Sequence, residues 1–575
     1  MKKLSITFLV GALWMVTDVA GQTVQEGVND YYAERYKGAR STFEKILAAN
    51  PNNIEATYWL GQTMIANKDV PGAREVYSKG LVASANAPLL LVGMGQVELN
   101  ENKSSEATQR FETAITMTRG KKGDDPAILN AIGRAITNTY TDKEKKGDIN
   151  YAVEKLEAAS QKDANSGEIF LNLGNAYLKQ KPGEGGGRAF EAYTKATAVT
   201  PNFAMPYFRL AKLFYSQKNF ELYEKYLTDA IAKDARFAPA YYELYYYRLG
   251  KQDFGNAQEM ASKYISNSDP DPQADHYKAQ TYWAEKKYDD AIAISKAIIA
   301  AAGNDTKPRT YILLADSYLS KSDTASARQY IDIYFSKAKP EDITPIHYKM
   351  KGDIYLATPG LEDGALNAYL EAVKSDTVLS SKVDLLNKIE ATFKARKLYA
   401  KQAFIEKVIL ATKPNPSLTN YFNTTVAFYF AAVYDTSRLY ALKLQELFPS
   451  EIYGFEWAFN NSRITDSVRK DSIAVPDAVA LLAFAEKDNQ KYKKQYNNAA
   501  GFLLGYYAND AKDGVKAMEY VDKLLLVDPT NENFLNIKKQ LEKSAKQPAA
   551  PKGSGMLRRD SPNAVRSASG EARIG

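Results

Sequence analysis

The stretch WLGQTMIANKDVPGAREVY, Trp59–Tyr77, sets two small residues twelve positions apart, Gly61 and Ala73, and puts a large ring four positions beyond the second, Tyr77. The same arrangement returns as Gly27, Ala39 and Phe43, as Gly95, Ala107 and Phe111, as Ala315, Ala327 and Ile331, and as Gly505, Ala517 and Val521. The small pairs Ala279/Ala291 and Ala391/Ala403 keep the same twelve-residue interval. From Gly27 to Gly61 to Gly95 each step is thirty-four residues, and the step from Tyr245 to Ala279 is the same. A proline follows eight residues after the large group at Pro51 and Pro529. A register held over such a length identifies a repeated structural unit.

Each unit reads as two amphipathic helices of about twelve to fifteen residues. The helices are joined by a short polar turn such as ANKDVPG or, further on, AEKKYDD. A small residue on each helix lets the pair approach closely, and the larger group one turn on fills the space beside it. Proline lacks a backbone donor and disfavours helix in the residue before it, so the second helix ends there. One such pair cannot bury its apolar face alone and must stack on its neighbours.

The pattern resembles the tetratricopeptide repeat. The residues that carry the resemblance are WLG at Trp59–Gly61, NLGNAY at Asn172–Tyr177, the A-x-x-x-[FY] runs beginning at Ala39, Ala73, Ala107 and Ala189, and the closing Pro51, Pro201 and Pro529. The resemblance implies an all-α, right-handed α-solenoid of about 13–14 helix-turn-helix units. Seven extra residues separate Gly133 from Ala152, three separate Gly174 from Ala189, and one separates Gly352 from Ala365. Tyr223 and Tyr245 stand where a small residue is usual, which predicts local widening. The expected organisation is a solenoid over 22–450, a degenerate repeat or irregular insertion over 451–494, and a final repeat with a capping helix over 495–546.

The two ends read differently. Lys2 and Lys3 precede an apolar run from Leu4 to Val16 and the small residues Val19, Ala20 and Gly21, as in a cleaved signal peptide covering 1–21. The segment 547–575, rich in Pro, Gly, Ser and Ala, reads as a disordered basic tail. The expectation is an exported chain, periplasmic, outer-envelope associated or secreted, with no transmembrane segment after signal cleavage. Part of the net charge of +7 sits in these ends, so the middle is nearly balanced and lacks the concentrated basic face of a nucleic-acid binder. The chain has no cysteine, which excludes disulfides, thiolate metal sites and a lipid anchor on an N-terminal cysteine.

The stretch AYYELYYYRLG, Ala240–Gly250, holds five tyrosines. Helical spacing puts Tyr241, Leu244, Tyr245 and Arg248 on one face, in register with the buried positions of other units, and Tyr242, Tyr246 and Leu249 on another. In proteins that this chain resembles, first helices line a concave groove. Carried along the units by spacing, the groove register selects Asn130 and Arg134, then Leu171 and Asn175, then Phe208, Lys212 and Tyr215. Beyond Tyr242 and Tyr246 it selects His276, Gln280 and Trp283, then Ile312 and Asp316. The candidate ligand-binding residues are Arg134, Asn175, Phe208, Lys212, Tyr242, Tyr246, His276 and Trp283. Flat rings supply contact area at small entropic cost, and cations pair with carboxylates, so the stripe suits an extended peptide.

No catalytic constellation or cofactor motif emerges. The two histidines, His276 and His347, fall in different units without metal-ligand spacing. GEGGGR, Gly183–Arg188, lacks the Lys-Ser/Thr ending and preceding strand of a phosphate loop and reads as an inter-helix insertion. DPDPQAD, Asp269–Asp275, carries two prolines and no central glycine, so it reads as an inter-repeat turn and not a calcium loop. The expected function is a non-enzymatic scaffold of the cell envelope that binds a protein or peptide partner, without cofactor or metal. The alternative is a glycan-capturing protein whose Tyr242, Tyr246 and Trp283 stack on sugar rings.

Overall fold

A computed structural model of the chain describes residues 23–545 apart from 142, 145 and 468–471. The segments expected to be a signal peptide and a basic tail lie outside the described residues. Among the described residues there are twenty-nine α-helices, α1 (Val24–Tyr32) to α29 (Glu532–Ala545), and no strand. They form an all-α solenoid of helical hairpins that divides into two compact units, parting between Lys337 and Ala338.

The twelve-residue spacing acts through volume. In the hairpin of α3 (Ile54–Ala66) and α4 (Val70–Ala83), a Cβ added to Gly61 would stand 2.2 Å from Cζ of the Tyr77 ring. That ring also lies against Gly93 of α5 (Pro88–Asn100), where an added Cβ would come within 2.4 Å of it. Equivalent near-contacts join Gly27 to Phe43 at 2.5 Å, Gly95 to Phe111 at 2.5 Å, Gly174 to Tyr193 at 2.4 Å and Gly352 to Tyr369 at 2.4 Å. The pairing survives the insertions: Gly133 meets Leu156 at 2.3 Å although seven extra residues intervene. The second small residue of each set, such as Ala39, Ala73, Ala107, Ala152 and Ala189, is fully buried. Each ring removed from water contributes about 1.5–3 kcal/mol, so this slot is where a hairpin gains its cohesion.

Around Tyr245, which replaces the small residue, neighbouring volume falls. Tyr245 is 1% exposed and packs with Ala257 and Ala261, the latter standing where other units carry a bulky group. Tyr223 is likewise 1% exposed and follows its slot partner Ala211 by twelve residues.

Nine of the turns inside the hairpins share one backbone device. Glu34, Lys68, Asn102, Lys218, Gln252, Lys286, Ser322, Lys397 and Ala432 all adopt left-handed φ values between 57° and 66°. The next amide returns to the preceding helix, as Asp69 N–H to Met64 O at 2.8 Å and Asp253 N–H to Arg248 O at 3.0 Å. This is a Schellman closure made without glycine.

In the second unit, residues 451–494 hold α25 (Tyr453–Thr465) and α26 (Ala474–Ala485). Phe459, Ala478, Leu481 and Leu482 share their core with Leu503 and Val521 further along the chain. Asp477 binds Arg438 of α24 (Tyr434–Leu447) through two bonds of 2.6 and 2.9 Å.

Candidate binding face

In the first unit the inner helices are α3, α5, α7 (Pro126–Thr139), α9 (Gly167–Gln180), α11 (Ala204–Ser216), α13 (Ala238–Gly250), α15 (His276–Ala284) and α17 (Pro308–Ser320). The stack curls far enough for the first hairpin to meet much later ones. Tyr32 of α1 donates to Glu168 of α9 at 2.6 Å, across 136 residues of chain. Arg35 donates to the carbonyl of Arg236, and Asp269 accepts from the Lys37 and Gly38 amides at 2.7 and 3.0 Å. Those two amides open α2 (Tyr36–Ala49), whose own N-cap residue, Arg35, makes no side-chain cap. The DPDPQAD turn between α14 (Phe254–Asn267) and α15 is thus a helix cap supplied from a distance.

The early part of the groove register is filled, by this curl at Arg134 and by neighbouring hairpins at the other positions. Arg134 is 4% exposed. Its guanidinium pairs with Glu168, donates to Tyr58 Oη at 2.9 Å and stands over the Trp59 ring at 4.2 Å. Glu168 also accepts from Asn130 at 3.2 Å, and Asn130 in turn accepts from Asn172 at 2.8 Å. Asn175 accepts from Tyr193 at 2.8 Å, while Phe208 is buried against Phe237 with ring centres 5.6 Å apart. Lys212 is half-buried and pairs with Glu243 at 2.8 Å. These four residues are therefore spent mainly on contacts within the chain.

In the later part of the register Tyr246 stays exposed while His276 is buried. Tyr241 and Tyr245 are buried, whereas Tyr242 is half-buried and Tyr246 is 39% exposed. The Tyr242 ring lies 4.9 Å from Tyr246, 5.2 Å from Tyr264 and 5.8 Å from Tyr277. Burial holds the Tyr242 and Tyr246 phenols above their ordinary pKa, so both remain neutral donors at physiological pH. Tyr277 is the centre of this cluster: it also receives the Tyr245 hydroxyl on its carbonyl at 3.0 Å and faces the Arg309 guanidinium, 5.2 Å above its ring.

Three buried donors or acceptors here lack a hydrogen-bond partner: Nδ1 of His276, Nε1 of Trp283 and Nε of Arg309. Burial, followed by the Arg309 and Lys307 charges, pushes the His276 imidazole down to about 3, so it is neutral. Unpaired buried polar atoms are uncommon, and these three are enclosed by the protein itself. Tyr264 and Tyr277 also line a cleft of about 320 Å³ whose charged rim includes Glu34, Lys37, Asp271 and Lys307. Groove spacing selected Tyr242, Tyr246, His276 and Trp283, which the fold sets on neighbouring inner helices. It missed Tyr264, Tyr277 and Arg309, although Arg309 lies one turn before the selected Ile312.

Among the described residues no group of three or more His, Cys, Asp or Glu side chains is placed to hold a metal ion. No described helix is long and apolar enough to cross a membrane.

A family model described as tetratricopeptide repeat matches residues 31–92. The chain is similar to the solved C-terminal part of a TPR repeat-containing protein from Cytophaga hutchinsonii, at 22% identity and TM-score 0.25, over 45% of this chain and 97% of that one. It is similar to a tetratricopeptide repeat protein from Parabacteroides merdae, at 20% identity and TM-score 0.35, over 45% and 98%. It is also similar to the human IFIT1 dimer with m7Gppp-AAAA, at 12% identity and TM-score 0.41, over 74% and 99%. No curated protein matches it.

Proposed function

We propose that this chain, a tetratricopeptide-repeat protein, is a non-enzymatic scaffold that binds an extended segment of a protein partner on the inner face of α13, α15 and α17. The observation that carries the reading is the ring cluster of half-buried Tyr242 and exposed Tyr246 with Tyr264 and Tyr277, the last two lining a cleft of about 320 Å³. The rings offer area to side chains, and Lys37 and Lys307 on the cleft offer charge to a partner's carboxylates. Arg134 helps to hold the curl that presents this face. We place its work outside the cytoplasm, in the envelope or beyond it, on the strength of the signal-like segment 1–21.

The test compares capture of proteins from envelope extract by wild type and by the Tyr242→Ala, Tyr246→Ala double variant, with a glycan array in parallel. A protein captured by wild type and lost by the folded variant supports the proposal. Identical capture by both, or sugar binding that the variant loses, removes it.

A further inference from the structure

The second unit carries a cleft of about 310 Å³ between α21 (Leu379–Ala395), α22 (Tyr399–Thr412) and α23 (Leu418–Phe430). Two carboxylates face it, Glu390 from α21 and Glu406 from α22. They differ in how they are held. Glu390 accepts a 2.7 Å hydrogen bond from Gln402, whereas the Glu406 carboxylate makes no hydrogen bond or ion pair although the residue is only 5% exposed. The Glu406 oxygens are not fully enclosed, so a donor entering the cleft can reach them.

The mouth of the cleft is aromatic. Tyr399 and Phe430 are 36% and 58% exposed, and their ring centres lie 6.1 Å apart. Val426 and Ala427 of α23 add an aliphatic wall. An exposed phenylalanine beside a tyrosine, above two carboxylates, is the pairing that recognises a positive charge on an apolar stem: ring faces attract the cation, and carboxylates accept its protons.

We propose that this cleft binds the cationic side chain, arginine or lysine, of a polypeptide, with Glu406 as its principal acceptor and Tyr399 and Phe430 holding the stem. Glu390 shares the charge, and Gln402 fixes its orientation. The site is separate from the tyrosine face of the first unit, so the two readings stand or fall independently.

Every group facing Glu406 bears on its titration. Burial raises it first and the neighbouring Glu390 charge second, against Lys394 of α21 and Lys413 beyond α22, and the balance sets it at about 7. Lys394, Gln402, Tyr399 and Asn423 complete the polar lining, so an incoming cation shares the cleft with the Lys394 ammonium. A bound cation favours the ionised carboxylate, so binding near neutral pH releases a proton from the fraction of molecules that hold one. Affinity therefore falls as pH falls from 8 to 6.

The experiment is calorimetric titration of the full chain with N-acetyl-arginine methylamide, in two buffers of different ionisation enthalpy, with the norleucine derivative as a neutral control. Lysine and spermidine derivatives separate a side chain on a backbone from a free polyamine. The expected result is binding of the arginine or lysine compound at about millimolar strength, release of a fraction of a proton at pH 7, and loss of about tenfold in affinity at pH 8 in Glu406→Gln. Phe430→Ala, at an exposed position that does not threaten folding, is expected to weaken binding several-fold. Equal binding of the norleucine compound, unchanged affinity in the folded variants, preference for spermidine, or no binding up to about 50 mM overturns the proposal.

Discussion

The Asp269 carboxylate accepts the backbone N–H groups of Lys37 and Gly38 at 2.7 and 3.0 Å, and so caps α2 from the other end of the first unit's curl. A carboxylate there satisfies two amides that α2 cannot satisfy itself and complements the positive end of the helix. Asp269→Ala is expected to destabilise the first unit by about 1–2 kcal/mol, with Asp269→Asn intermediate. Hydrogen exchange checks it: protection should fall first in α1 and α2. Unchanged exchange in those helices would show the cap to be dispensable.

Gly61 and Tyr77 define a second expectation. The 2.2 Å separation leaves no room for a methyl group, so Gly61→Ala must displace the ring and loosen α3 from α4. A loss of about 1–3 kcal/mol is expected in denaturant unfolding. Adding Tyr77→Leu should recover part of it, because a smaller side chain vacates the same slot; strict additivity of the two changes would contradict the steric account.

The left-handed turns store strain that glycine relieves. Gln252 holds φ at 59° in the turn after α13 and is exposed. Gln252→Gly should raise stability by about 0.5–1 kcal/mol, measured as an upward shift in melting temperature. A fall would mean that the gain in unfolded-chain entropy outweighs the strain.

His276 gives the first unit a pH dependence of known sign. Its folded value of about 3 lies below the ordinary 6.5, so its contribution is present above pH 6.5 and is lost as pH falls towards 3. Between pH 7 and 5 the expected loss is about 1–2 kcal/mol. His276→Asn should flatten that slope in urea titrations at the two pH values, and an unaltered slope would assign it elsewhere.

Glu406 acts in the opposite direction on the second unit. Its folded value of about 7 lies above the ordinary 4.5, so the penalty for ionising it is present above pH 7 and disappears as pH falls towards 4.5. Glu406→Gln should stabilise this unit by about 1–2 kcal/mol at pH 8 and little at pH 5. Calorimetric scans of the variant at both pH values check this.

The hairpin architecture was legible because it rests on exclusion at short range. A glycine and an aromatic sixteen residues apart in one hairpin are obliged to touch, and insertions in the turn move the spacing without removing the contact, as Gly133 and Leu156 show. Tyr245 stands where a small residue is usual, and the alanines at 257 and 261 pack against its ring. The inner register was legible for Tyr242 and Tyr246, which depend only on the phase of their own helix. It could not reveal that Arg134 would be enclosed, since Tyr32 and Tyr58 reach it only once the stack has turned. Asp269 was hidden for the same reason, its partners lying 231 and 232 residues away. Spacing reports what one or two hairpins require, and curvature summed over many hairpins is invisible to it.

A row of hairpins joined only to its neighbours is compliant, because small changes at every joint add up to a large extension. The Asp269 carboxylate converts the first turn of that row from a spring into a hoop. Tension applied through the early helices must break a specific charged clasp before the coil can lengthen, so the first unit should hold its curvature under load and then yield abruptly at a threshold force.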